Sequence, residues 1–195
     1  MQYYKTFGPF AMPRMQDRKP KELDPEIPKL SLDFDTKKAI NPFWKRVQEK
    51  AGHDLRNGCG FYIFVTGAGK GYRPWYVGQA KTTFGVRIFQ PDHKNSTYPS
   101  VVDDPQLKAG KPYIFLIAKM TPGGNLVKAD IPLKEANFIE NLLIIHSLTK
   151  NPDLKNKGGT NFAKQVVIPG IFGDLNAKGK LDASTKSLRT ALGIA

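Results

Sequence analysis

The sequence has little cysteine and little histidine. It contains one cysteine, Cys59, and three histidines that lie far apart, His53, His93 and His146. A single cysteine excludes an internal disulfide and any zinc site built from several cysteines. No apolar run approaches the roughly 20 residues needed to cross a bilayer, and residues 1–6 lack the apolar stretch of a secretory signal. We therefore expect a cytoplasmic protein that makes no membrane contact.

Acidic residues are also scarce relative to basic ones. The chain of 195 residues carries 30 Lys and Arg against 17 Asp and Glu, which gives a formal net charge of +13 at pH 7. Between residues 70 and 94, Asp92 is the single acidic residue among five cations, Lys70, Arg73, Lys81, Arg87 and Lys94. Such a surplus is typical of proteins that bind nucleic acid, although lysines also simply keep a protein in solution.

Proline and apolar residues divide the chain into three parts. Residues 1–57 begin with a proline-rich stretch, which predicts an arm that is extended or pinned onto the body, and continue with a short helix over 41–52. In that helix Asn41 is the expected N-cap. Residues 58–160 hold the segments of the main domain. Residues 161–195 form a C-terminal extension that ends in a helix.

Within the main domain, aromatic and β-branched segments predict strands, and longer apolar periodicities predict helices. The order is a hairpin of strands at 60–66 and 73–78, a short helix at 82–89, a long polar loop at 91–112, a strand at 113–118 and a helix at about 133–149. This order predicts an α/β fold in which a small, mainly antiparallel sheet is flanked by helices.

Two short motifs on the predicted hairpin are the first members of a set of residues that follow one another in a defined order. The first motif is Gly60-Phe61-Tyr62 and the second is Tyr76-Val77-Gly78. With the residues that follow downstream, the set comprises Tyr62, Tyr76, Gly78, Arg87, His93, Glu140 and Asn156. This ordered set resembles the GIY-YIG nuclease family, and the resemblance extends over about residues 58–160.

The resemblance implies an endonuclease that uses Mg²⁺ or Mn²⁺ to hydrolyse DNA phosphodiester bonds. It implies that Tyr62 activates the attacking water, with Tyr76 as its partner. Arg87 would stabilise the charge of the phosphate, and Glu140 would hold the metal ion. His93 is a further candidate for the base or for a proton shuttle near neutral pH.

Gly78 and Asn156 have supporting roles in the same interpretation, since Asn156 is of a residue type that fixes turns by bonding to the backbone. Near this set, candidate contacts to the nucleic acid are the cations Lys70, Arg73, Lys81 and Lys94.

The residues themselves leave alternatives open. Glu140 interrupts a largely apolar helix, where it is either a metal ligand or an ordinary helix glutamate that is paired or partly exposed. His93 is equally well an ordinary loop histidine, and Tyr62 and Tyr76 equally well strand aromatics. A non-cleaving nucleic-acid-binding module on the same fold is therefore the alternative function. One such site cuts one strand, so a double-strand break requires a homodimer or two successive events.

Overall fold

An antiparallel sheet organises the part of the chain that the structure describes. The structure is a computed structural model, and it describes residues 2–18, 31–68, 71–104, 110–128, 130–156, 158 and 182–192. Its strands are β1 (Tyr3–Ala11), β2 (Gly60–Ala68), β3 (Gly71–Ala80) and β4 (Lys111–Met120), in the spatial order β1-β4-β2-β3. All neighbouring strands are antiparallel. The fold is therefore α/β with a small antiparallel sheet, as the sequence pattern predicts.

The proline-rich N-terminal stretch contributes an edge strand, which the expectation of an arm did not include. β1 pairs with β4, and its register shifts between Phe7 and Phe10. Pro9 lies within this irregularity, where a proline without an N–H is tolerated on an edge strand. Phe7, Phe10 and Met12 are buried in the core. The prolines interrupt the spacing of these apolar residues, so the sequence shows no periodic pattern there that would predict a strand.

Five helices accompany the sheet in the described residues. They are α1 (Asn41–Ala51), α2 (Phe84–Arg87), α3 (Pro99–Val102), α4 (Leu133–Lys150) and α5 (Ala183–Leu192). The long helix of the main domain and the C-terminal helix thus lie where the sequence predicts them. None of the described helices combines the length and the apolar character needed to cross a bilayer.

The start of α1 differs from the expectation. A turn of π-helix, Thr36–Ile40, precedes α1, and the Asp35 side chain caps it by accepting hydrogen bonds from the main-chain nitrogens of Lys37 and Lys38. Asn41 is therefore not the N-cap, because the helical path already begins five residues earlier. The C-terminal end matches the prediction, since Gly52 adopts φ +69° after the last turn.

The segment expected to be a long polar loop is helical in its first half. A turn of π-helix, His93–Thr97, leads directly into α3. Tyr98, Val101 and Val102 anchor this segment in the core. These apolar residues are too few among polar neighbours to give a periodic signal. Their burial draws His93 into the protein, where it is 2% exposed.

The two faces of the sheet carry different cores because side chains alternate along a strand. Tyr62 and Phe64 of β2 lie in a large aromatic cluster with residues of β1, α1, α2 and α3. Phe61 and Ile63 lie on the opposite face, where they contact apolar residues of α4. The edge of β3 therefore lies between α4 on one side and the His93 turn on the other.

The segment that follows α4 runs along the open edge of β3 and takes the place of a further strand. The main-chain N–H of Lys155 donates to the Trp75 carbonyl at 2.7 Å. The Asn156 side chain accepts from the Val77 N–H at 2.9 Å and donates to the Val77 carbonyl at 2.7 Å. The predicted supporting role of Asn156 thus has a physical form, because its amide mimics the pairing of a strand.

We expect Asn156→Ala to lower the free energy of unfolding by about 1–3 kcal/mol, because the buried Val77 N–H and carbonyl lose their partners. Urea denaturation measures this change. Asn95→Ala, at an exposed position of the His93 turn, is the matched control and should be close to neutral. Equal stabilities of the two variants would contradict the role of Asn156 at the strand edge.

Candidate active site

A cleft of about 710 Å³ lies along the outer edge of β3 and is lined by β3, α4, the His93 turn and the segment after α4. It collects most of the residues singled out by motif order. Five of them line it, namely Tyr76, Arg87, His93, Glu140 and Asn156. The structure thus brings together residues from distant parts of the sequence, and this cleft is the candidate active site.

Tyr62 lies directly behind the cleft and is fully buried. Its hydroxyl oxygen is 2.5 Å from His93 Nε2, and His93 Nδ1 is 3.3 Å from Thr97 Oγ1. The Tyr62 ring lies over Gly78, its partner on β3, and a Cβ at Gly78 would overlap the ring. Gly78 therefore supports the site by leaving room for Tyr62.

The Tyr62–His93 pair is neutral at pH 7. Burial and, next, the charge of Arg87 lower the pKa of His93 to about 4. Burial raises the pKa of Tyr62 well above its ordinary value. Tyr62 is therefore hydrogen bonded to an uncharged imidazole, which has one ring nitrogen free to accept a proton. A water-activating tyrosinate requires a lowered pKa, so this geometry places the free proton-accepting capacity on His93 and not on Tyr62.

Tyr76 connects this buried pair to the cleft. Its ring centroid is 5.0 Å from that of His93 and 6.1 Å from that of Tyr62. Burial raises the pKa of Tyr76, while the Arg87 charge acts in the opposite direction. The rings of Tyr76, Tyr62 and His93 therefore lie against one another at the wall of the cleft.

Glu140 and Arg87 supply the opposite charges of the site, and both are half-buried. Burial raises the pKa of Glu140, and the Arg87 charge opposes that increase. Gln79 contacts both groups. Its Nε2 donates to Glu140 Oε2 at 3.0 Å, and its carbonyl accepts from Arg87 Nε at 3.2 Å. The two charged groups are thus held in place through one residue of β3.

The oxygen atoms beside Glu140 fit a hard divalent cation. Gln79 Oε1, next to the carboxylate, is buried and has no hydrogen-bond partner within the described chain. Among the described residues, no three His, Cys, Asp or Glu side chains lie together as a complete metal cage. Mg²⁺ is commonly bound by one or two carboxylates together with water and substrate phosphate. Glu140 with a neighbouring amide oxygen is consistent with such a site.

Arg73, one of the predicted nucleic-acid contacts, has a structural role in the described chain. Its guanidinium lies 4.6 Å from the centroid of the Trp75 ring. The same group donates to Asn151 at 2.7 Å and to Asp153 at 2.9 Å. These contacts tie the segment after α4 to β3.

The other predicted cations lie in different surroundings. Lys81 is exposed and close enough to Glu140 to lower the pKa of that carboxyl. Lys94 is half-buried, with Nζ 5.8 Å from the centroid of the Phe34 ring. Lys70 lies outside the described residues. Lys81 is therefore the predicted cation that the structure places nearest to the metal-ligand candidate.

Gln79 and Lys155 also line the cleft, and neither was singled out at the level of sequence. A neutral amide carries no charge or motif signal, although Gln79 directly follows Tyr76-Val77-Gly78. Lys155 lies next to Asn156, and its place in the cleft depends on how the chain returns after α4. The sequence offers one indication of each residue's place, since Gln79 directly follows Gly78 and Lys155 directly precedes Asn156.

The lowered pKa of His93 makes stability dependent on pH. Below its ordinary value of 6.5, the unfolded chain binds a proton that the folded protein binds only near pH 4. The parent therefore loses stability as pH falls through this window. His93→Gln retains an acceptor for Tyr62 but cannot titrate, so its free energy of unfolding should fall less steeply between these pH values.

Chemical denaturation at a series of pH values compares the two slopes. His146→Gln, at an exposed position of α4, is the control for loss of an imidazole and should keep the slope of the parent. Parallel curves for the parent and His93→Gln would show that His93 is not held neutral in the folded protein.

Comparisons of the chain with protein-family models, with curated proteins and with solved structures found no match. They therefore add nothing to the resemblance carried by the ordered residues.

Proposed function

We propose that this protein is a metal-dependent endonuclease of the GIY-YIG type, which hydrolyses DNA phosphodiester bonds. The observation that carries the proposal is that Tyr76, Arg87, His93 and Glu140 line one cleft, with Tyr62 directly behind it. Motif order alone selects these five residues from the sequence. An accidental match to the motifs would not require them to lie together, so their convergence supports a shared chemical role.

The three adjoining rings offer a path for the proton of the attacking water. A water beside Tyr76 would pass its proton to the Tyr76 hydroxyl, which would pass its own proton to Tyr62, whose ring centroid lies 6.1 Å from that of Tyr76. Tyr62 in turn passes its proton to Nε2 of His93, 2.5 Å away. His93 is the final acceptor in this path, since its pKa of about 4 keeps the imidazole uncharged at pH 7.

Arg87 supplies the fixed positive charge. A guanidinium remains charged at all relevant pH values and presents its N–H groups in a planar array that suits phosphate oxygens. The bond from its Nε to the Gln79 carbonyl, at 3.2 Å, directs the rest of the guanidinium. Arg87 is thus placed to stabilise the charge that develops on the phosphate during hydrolysis.

Glu140 would hold Mg²⁺ or Mn²⁺, with the Gln79 oxygen beside it. When bound, such an ion acts as a Lewis acid on the phosphate and stabilises the leaving oxygen. The charge of Arg87 and the side-chain hydrogen bond from Gln79 favour the ionised carboxylate against the effect of burial, which raises its pKa. Glu140 is therefore available as an anionic ligand although it is half-buried.

One observation favours the alternative of a nucleic-acid-binding module that does not cut. Burial raises the pKa of both Tyr62 and Tyr76, so neither is a ready base at pH 7. A binding module needs no base and would use the net charge of +13 for contact with the phosphate backbone. It predicts DNA binding without strand cleavage in the presence of Mg²⁺.

The variant Glu140→Gln separates cutting from binding. It keeps the size and the hydrogen-bonding capacity of the side chain but removes the anionic oxygen. We expect the rate of nicking of supercoiled plasmid in Mg²⁺ to fall about 100-fold or more, since a metal ion contributes several kcal/mol to such transition states. DNA affinity without metal should be retained, because a negative charge near the phosphate is removed.

The melting temperature of Glu140→Gln should stay near that of the parent. Glu49→Gln, at an exposed position of α1, is the matched control and should nick at the parent rate. A Glu140→Gln variant that is folded and nicks at the parent rate would remove Glu140 from the mechanism. Loss of activity together with loss of folding would return Glu140 to a structural role.

Binding to DNA should weaken steeply with salt. Lysines and arginines that contact phosphates displace condensed counterions, so the logarithm of the affinity should fall linearly with the logarithm of the salt concentration. Fluorescence anisotropy of a labelled duplex over a range of NaCl concentrations measures the slope. A slope near zero would contradict a nucleic-acid partner for this chain of net charge +13.

A further inference from the structure

Gln79 contacts both charged groups of the cleft through different atoms. Its carbonyl accepts from Arg87 Nε at 3.2 Å. Its Nε2 donates to Glu140 Oε2 at 3.0 Å and to Asn137 Oδ1 at 3.2 Å. A cation from α2 and an anion from α4 are thus both bound to one residue of the sheet.

The position of Gln79 on the strand explains these contacts. Alternate residues of an edge strand direct their N–H and carbonyl groups outward. The segment after α4 pairs with the Trp75 carbonyl and with the N–H and carbonyl of Val77. At Gln79, two residues further along the edge, the carbonyl pairs instead with Arg87, and the side chain donates to Glu140. The Arg87 guanidinium therefore continues the pairing of the strand edge.

We propose that Gln79 is a positioning residue, which sets the separation of Arg87 and Glu140 and orients the Glu140 carboxylate for a divalent cation. The inference rests on the proposed function, since it assigns Gln79 a role toward the metal ligand of that site. Main-chain atoms hold Arg87, whereas the side chain holds Glu140. Changing the side chain therefore affects the carboxylate and leaves the anchor of Arg87 in place.

A purely structural glutamine would be expected to use both its amide nitrogen and its amide oxygen in hydrogen bonds, and the oxygen of Gln79 has no partner among the described residues. Oε1 is buried without a partner within the described chain, and such an atom is costly to a folded protein. Leucine is one atom shorter than glutamine but comparable in volume, and it lacks both this acceptor and the donor. Gln79→Leu should therefore fold while removing the side-chain donor from Glu140.

The test measures Mn²⁺ binding and DNA binding separately on the same folded variants. Groups that orient a metal ligand typically contribute about 10-fold to 100-fold in metal affinity. We expect Gln79→Leu to bind Mn²⁺ at least about 10-fold more weakly than the parent in isothermal titration calorimetry. Metal-free DNA affinity, which depends on Arg87, should stay within about twofold, because the main-chain anchor of Arg87 remains.

Two further variants serve as references. Arg87→Gln should show the reverse pattern, with weaker DNA binding and little change in Mn²⁺ affinity. Gln48→Leu, at an exposed position of α1, should change neither. The melting temperatures of all variants are recorded, so that a loss of folding is recognised.

Unchanged Mn²⁺ affinity in folded Gln79→Leu would overturn the inference, and so would a parent that binds no Mn²⁺. Equal loss of Mn²⁺ affinity, DNA affinity and melting temperature would also overturn it, because that pattern belongs to a structural residue. Mn²⁺ binding is measured without cleavage. A parent that binds Mn²⁺ through this site but never cuts DNA would therefore refute the proposed function and leave the positioning role intact.

Discussion

The outer edge of β3 has main-chain groups that require partners, and this requirement shapes the cleft. An unpaired strand edge exposes N–H and carbonyl groups that would otherwise pair with another chain. Here the Asn156 side chain pairs with Val77, and Arg87 donates to the Gln79 carbonyl. The atoms that complete the edge thus include the guanidinium of the candidate site. The same hydrogen bonds hold the strand edge and position the side chains of the cleft. A substitution that breaks one of them is therefore expected to affect both stability and the geometry of the cleft.

Arg87 is the electrostatic centre of the cleft. Burial is the largest influence on the pKa of His93, Tyr76 and Glu140, and the Arg87 charge is the next largest in each case. The same cation favours an uncharged imidazole and an ionised carboxylate. One half-buried guanidinium can therefore favour the uncharged form of His93 and the ionised form of Glu140 at the same pH. The hydrogen bond to the Gln79 carbonyl fixes the position from which this field acts.

The sequence predicts those parts of the fold that depend on local patterns. The hairpin of β2 and β3 and the helix α4 follow from aromatic runs, glycine turns and helical periodicity. β1 was missed because its prolines mask the apolar residues that it buries. The helical turn that carries His93 was missed because tertiary packing of a few apolar side chains, not local periodicity, draws it into the core.

For the candidate site, the sequence predicts which residues belong to it but not how they contact one another. Motif order selected the residues that line the cleft, because chemical identity and order survive in the sequence. The hydrogen bond between Tyr62 and His93 was not predictable, since it depends on the packing of distant segments. Gln79 was missed because an amide has no charge and its role arises from the strand edge. The protonation states likewise follow from burial, which sequence does not report.

The most direct test of the account is a crystal structure of the protein bound to a DNA duplex with a non-hydrolysable linkage, grown in Mn²⁺. The account predicts a backbone phosphate in contact with the Arg87 guanidinium and an anomalous Mn²⁺ peak at the Glu140 carboxylate. DNA bound on another surface, with no phosphate or metal ion in contact with either residue, would contradict it.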